Sequence, residues 1–132
     1  MAGPRICRKL QTAPAQMRIG RHLLSSGVRF VAFACTIPAV PTVQQDDDAI
    51  RITRWDFAPG AVTGWHRHDW PYFVVMLTDG ILRVHNGTDV IDNPLKVGQS
   101  YGRKEGITHD VMNGSPHPIA FVEIEIKKPE AL

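Results

Sequence analysis

Residues 72–87 read Tyr72-Phe73-Val74-Val75-Met76-Leu77-Thr78-Asp79-Gly80-Ile81-Leu82-Arg83-Val84-His85-Asn86-Gly87. Two short runs rich in apolar side chains are separated by Thr78-Asp79-Gly80, and the second closes on Asn-Gly, the strongest short-range hairpin signal. Neither run carries an apolar stripe at i, i+3, i+4 and i+7, so both read as strands. The same rhythm continues on either side. Upstream, residues 50–57 alternate imperfectly and stop at Ala58-Pro59-Gly60, and residues 65–68 stop at Asp69-Trp70-Pro71. Downstream come a turn at Asp92-Asn93-Pro94, a short piece at 95–97 and a turn at Gly98. Tyr101, residues 109–112, the turn Asn113-Gly114-Ser115-Pro116 and residues 119–127 complete the series. Turn signals at intervals of about 8–12 residues, with no helix between them, predict an all-β fold, an antiparallel sandwich or barrel. A parallel α/β fold is excluded.

At 132 residues the chain supports one domain. Its 43% hydrophobic content excludes a disordered polymer, and no stretch reaches the roughly 18 apolar residues of a membrane helix. A formal net charge of +2 is too small to argue for nucleic acid or an anionic membrane, so neither is an expected partner. The charge is uneven, however. Residues 1–45 hold Arg5, Arg8, Lys9, Arg18, Arg21 and Arg29 and no acid, whereas the remainder carries every Asp and Glu. We therefore divide the chain into a basic N-terminal extension, 1–41, disordered or contributing an edge strand at residues 29–36, and a barrel domain, 42–132. The extension has targeting-like composition, and Ala32-Phe33-Ala34 has the small-x-small form of a cleavage site, but Arg29 interrupts the apolar region it needs. A cytoplasmic location is expected, with export or organelle targeting as the alternative. Cys7 and Cys35 are too few for a disulfide framework or a four-thiolate zinc site and read as free thiols. Asp46-Asp47-Asp48 reads as a solvated turn.

Histidine spacing carries the chemistry. His66 and His68 are one residue apart, which on a strand points both imidazoles at the same volume. His109 stands in a later strand that an antiparallel sheet can bring opposite the pair. His22, His85 and His117 read as surface residues, the latter two beside turns.

These residues fall in two segments that resemble the motifs of the cupin superfamily. Gly60, five residues, His66-Arg67-His68 and an apolar strand ending at Gly80 are similar to the first motif. Gly98, five residues, Lys104-Glu105-Gly106, two residues, His109, three residues and Asn113 are similar to the second, with Lys104 where the family usually has proline. Within the superfamily, residues 55–60, 64–68 and 77–80 most resemble single-domain cupins assigned to β-alanine degradation. The resemblance spans about residues 42–127. It implies a small β-barrel, a double-stranded β-helix or jelly roll, holding one divalent metal through His66, His68 and His109.

The family's first motif also supplies a glutamate, and this sequence lacks it. Counting three residues past His68 reaches Tyr72, and counting four reaches Phe73. Strand parity favours Tyr72. In residues 121–126 the two glutamates share one face and Val122, Ile124 and Ile126 the other, so Glu123 and Glu125 read as solvated; with inverted parity Glu123 becomes the missing carboxylate, and Gln99 is a weaker candidate. Three neutral imidazoles leave an ion its full +2 charge, which favours a small anionic organic ligand, and they favour iron, zinc, nickel or copper over manganese or magnesium. Tyr72 and Tyr101 are candidate hydrogen-bond donors, and Arg83 a candidate clamp for a substrate carboxylate. Two functional classes follow: a mononuclear metal enzyme acting on a small organic acid by dioxygenase, isomerase or lyase chemistry, or a cupin that binds a small ligand and catalyses nothing. A homodimer is expected in either case.

Overall fold

The computed structural model describes residues 37–131. Most of the basic extension, including the strand expected at 29–36, His22, Cys7 and Cys35, lies outside the described residues. Nine strands run in order: β1 Val40–Asp46, β2 Ile50–Phe57, β3 His66–Arg67, β4 Tyr72–Met76, β5 Gly80–His85, β6 Val90–Leu95, β7 Ser100–Arg103, β8 Thr108–Asn113 and β9 Ile119–Ile126. They form a five-stranded sheet, β1-β2-β9-β4-β7, and a four-stranded sheet, β3-β8-β5-β6, with every strand pair antiparallel. The fold is the all-β jelly roll expected. No described helix is long and apolar enough to cross a membrane.

Register places the interior of the large sheet in rows. Arg51, Glu125, Tyr72 and Arg103 stand side by side across β2, β9, β4 and β7. The next row is Thr53, Glu123, Val74 and Tyr101, the next Trp55, Phe121 and Met76, and the last pairs Phe57 with Ile119. Polarity thus falls along the barrel axis. At the apolar end Phe57, Met76 and Leu82 are each 1% exposed, and fully burying a side chain of this size contributes about 1.5–3 kcal/mol. Glycine is required at this end too: a Cβ on Gly80 would sit 2.4 Å from Cγ2 of Ile119.

Three readings of the sequence need correction. Residues 40–46, divided between the extension and the start of the domain, form strand β1, paired with β2 through a bulge between Val43 and Gln45. Every β1 residue is exposed, so the strand lacks the apolar alternation that would have marked it. Upstream of it Ala39 is buried and its N–H donates to the Val62 carbonyl. The turn placed at Asp92-Asn93-Pro94 is instead the second half of β6. Pro94 is tolerated because β6 lies at a sheet edge, where a missing N–H costs little. On β9, Glu123 and Glu125 point inward with Phe121, because the outer face of this sheet is itself partly apolar, with Ile52, Ile124 and Phe73 in one row. The Asp-rich turn is as read: Asp47 accepts bonds from the backbone N–H groups of Ala49 and Ile50 and from Gln45, which lower its pKa to about 2.

Candidate metal centre

Two strands of the small sheet bring the histidines together. His66 on β3 is the direct cross-strand partner of His109 on β8. His68 follows two residues after His66, its backbone bonded to the turn before β8: its N–H donates to the Ile107 carbonyl, and its carbonyl accepts from Gly106 N–H. Gly106 sits there at φ 91°, a conformation that favours glycine.

The three Nε2 atoms form a near-equilateral triangle, with edges of 3.0 Å from His66 to His68, 3.0 Å from His68 to His109 and 3.1 Å from His109 to His66. Protons cannot satisfy this arrangement. An N–H···N contact needs one protonated and one bare nitrogen, and around a ring of three at least one edge must join two like groups. A shared cation satisfies all three lone pairs at once. Nitrogens about 2.1 Å from one ion stand roughly 3 Å apart when the angles between them approach a right angle, so the spacing fits. The tautomer of His66 fits as well: its Nδ1 is 2.8 Å from the Gly64 carbonyl, which can only accept, leaving Nε2 bare toward the cluster. Burial, reinforced by the neighbouring histidines, lowers His68 to about 4 and His109 to about 3, so both imidazoles are neutral at physiological pH, the form able to ligate a metal.

Beside this cluster lies a cavity of about 20 Å³, room for about one water-sized group. Val74, Leu82, Val111 and Phe121 make its apolar floor, and Trp55, Thr63, Tyr72, Tyr101 and Glu123 line it with polar atoms. Tyr72 stacks on His68 with ring centroids 3.8 Å apart. Burial raises its hydroxyl pKa and takes that of Tyr101 to about 12, keeping both as donors. His68, Glu123 and Glu125 offer ligand atoms all within 4.8 Å of one another. Burial, then the charge of Glu125, raises Glu123 to about 7. Glu125 is bonded to Arg51 at 2.5 Å. The indole N–H of Trp55 is buried with no well-formed hydrogen bond, and Glu123 is the acceptor beside it.

The other candidates lie elsewhere. Arg83 does not line the cavity: its strand neighbour Leu82 does, and its guanidinium is bidentate on Asp92 of β6, at 2.7 and 3.0 Å. The expected carboxylate clamp is therefore an outward ion pair. Phe73 is 49% exposed, and Gln99 is exposed with its side-chain oxygen on Lys96 N–H. His85 accepts from Gly87 N–H and packs edge-on to Trp65, and His117 reaches the Asp79 carbonyl. Asn113 is structural, donating to the carbonyls of Phe57, Ala58 and His117. Arg103, which the sequence did not single out, is exposed on β7 and does not line the cavity, but its guanidinium lies against the ring of Tyr101, which does.

Comparison with known proteins supports the fold and the family. The β-alanine degradation protein BauB of Pseudomonas aeruginosa is 52% identical over 89 residues, covering 67% of this chain and 94% of that protein. A cupin domain from Bordetella pertussis superposes with a TM-score of 0.68 at 44% identity, over 71% of this chain and 99% of that one. A protein with a double-stranded β-helix domain from Klebsiella pneumoniae shares the fold at a TM-score of 0.59 and 22% identity, over 75% and 85% of the two chains. No family model matches the chain.

Proposed function

The chain belongs to the cupin superfamily, and from that membership and its three converging histidines we propose a metal-dependent cupin acting on a small organic acid in the breakdown of β-alanine or a related compound. The observation that carries the reading is the Nε2 triangle, whose lone pairs a cation satisfies and protons do not. His66, His68 and His109 would hold the ion, with iron, zinc, nickel or copper favoured by the nitrogen ligands. When bound, a divalent ion supplies Lewis acidity, and iron or copper adds one-electron chemistry. The chain's own residues do the rest. Tyr101 and Trp55 present O–H and N–H donors to the cavity, and the floor of Val74, Leu82 and Phe121 excludes bulk water. Glu123, with a pKa near 7, can hold or release a proton there at physiological pH. A cytoplasmic location remains a proposal from composition. So does a homodimer, supported by the outward row of Ile52, Ile124 and Phe73.

Metal analysis of protein purified without a His tag tests the reading. About one ion per chain is expected. Less than about 0.2 ions per chain, with no uptake of Fe(II), Zn(II), Ni(II) or Mn(II), would instead support the non-catalytic binding module, whose support here is the small size of the cavity.

A further inference from the structure

The cations around the mouth of the barrel are not equivalent. Arg51 is bonded to Glu125 and lies over Trp70, Arg67 faces Asp69 at 3.7 Å, and Arg83 is spent on Asp92 outside the barrel. Arg103 has no carboxylate within 4.0 Å among the described residues. Its Nη1 donates to the Gly102 carbonyl at 2.9 Å, which uses one of five N–H donors. Its Cζ lies 4.6 Å from the centroid of the Tyr101 ring, and that ring lines the cavity. Across the strand pair its partner is Tyr72, which stacks on His68. Register therefore puts Arg103 on the face of β7 that carries Tyr101, one strand away from the Tyr72–His68 stack.

A guanidinium held against a ring keeps its in-plane donors for two-pronged binding of a carboxylate. We propose that Arg103 is the carboxylate subsite of this pocket, binding a short monocarboxylic acid whose other end is directed to His66, His68 and His109. The second half of this assignment rests on the metal-centre reading; the carboxylate contact does not. Two features narrow the ligand. The cavity of about 20 Å³ takes only a small group beyond the mouth, and a second carboxylate would meet Glu123 and Glu125.

Propanoate, titrated into the full-length protein with and without zinc and followed by NMR, tests the assignment. Saturable shifts at Tyr101, Gly102 and Arg103 are expected. Arg103→Gln should weaken propanoate binding at least tenfold, Arg103→Lys less, and Arg83→Gln not at all. The uncharged analogue propanamide should bind wild type and Arg103→Gln alike. Absence of saturable binding to wild type, or equal affinity in Arg103→Gln, overturns the proposal. Zinc uptake, measured on the same samples, reports on the metal centre separately. Wild type that takes up none of Zn(II), Fe(II), Ni(II) or Mn(II) yet loses propanoate affinity on Arg103→Gln would refute the metal centre and keep the subsite.

Discussion

The two ends of β9 obey the same geometry and opposite chemistry. At one end Ile119 and Phe121 point inward and are 2% and 4% exposed, closing the barrel with Phe57 and Met76. Two and four residues beyond Phe121 the same inward face carries Glu123 and Glu125. Burial of a carboxylate costs free energy unless it is paired or protonated, and both remedies are present: Glu125 is paired with Arg51, and Glu123 is raised to about 7. The apolar end holds the fold together, and the polar end carries buried ionisable groups that cost stability.

The sharpest separation is expected from truncation. Phe57→Ala and Leu82→Ala at the closed end should each destabilise the metal-free protein by about 3–5 and 2–5 kcal/mol in denaturant unfolding, from lost burial plus a cavity. His66→Ala at the open end should cost less than about 1 kcal/mol, because it removes a half-buried imidazole from a cluster that protons cannot satisfy. Comparable losses at both ends would mean that the histidines are core and the division is false.

The converse comparison uses metal affinity. Replacing His66, His68 or His109 with Ala should weaken zinc binding by roughly 100-fold or more, since loss even of a supporting contact costs 10–100-fold. His85→Ala and His117→Ala should leave it unchanged, because the first packs on Trp65 and the second bonds the Asp79 carbonyl. Isothermal titration on the five variants decides this. An equal loss from His85→Ala would misassign the centre.

How much of this was legible follows from the same contrast. The strand and turn pattern sufficed for an all-β fold, because Asn86-Gly87 and the Gly98 turn are local signals. The spacing of His66 and His68 was legible because strand parity alone puts them on one face. His109 was legible as a later-strand residue that an antiparallel sheet can bring opposite the pair, but only the resemblance implied that the three form one ligand set, since cross-strand register carries no local signal. Parity misleads on β9, where alternation favours solvent-facing glutamates and the structure instead has the inverted parity that turns Glu123 inward; the rule fails where a polar site is buried and the outer sheet face is apolar. Arg83 and Arg103 show the same limit. Each lies on a strand, and only the register, Arg83 opposite Asp92 and Arg103 opposite Tyr72, separates a surface pair from a residue at the mouth.

Within the open end, pH should act in opposite senses through the histidines and through Glu123. The unfolded chain protonates His68 and His109 below about pH 6.5, whereas the native state holds them to about 4 and 3. Metal-free stability therefore falls through these groups as pH drops from 6.5. Glu123 works the other way. Its native value of about 7 exceeds the ordinary 4.5, so the native state binds a proton that the unfolded chain releases between them. Its contribution is intact below pH 4.5 and is lost as pH rises through 7. Glu123→Gln should accordingly gain roughly 1–3 kcal/mol on wild type between pH 4.5 and pH 8 in urea unfolding. No pH-dependent difference would place Glu123 in solvent.

The smallest effect is expected on the outer surface. Arg83 and Asp92 form a two-pronged pair between β5 and β6, with side chains 22% and 47% exposed. Water and salt screen such a pair, so Arg83→Gln should cost about 0.5–1 kcal/mol, and less as ionic strength rises and the screening length shortens. Zinc affinity should not change, because Leu82 rather than Arg83 faces the cavity. Alternation along a strand makes this a strict test, since a slip of one residue in β5 would turn Arg83 inward and Leu82 outward. A loss of zinc affinity in Arg83→Gln would show that slip and undo the inner and outer assignment of β5.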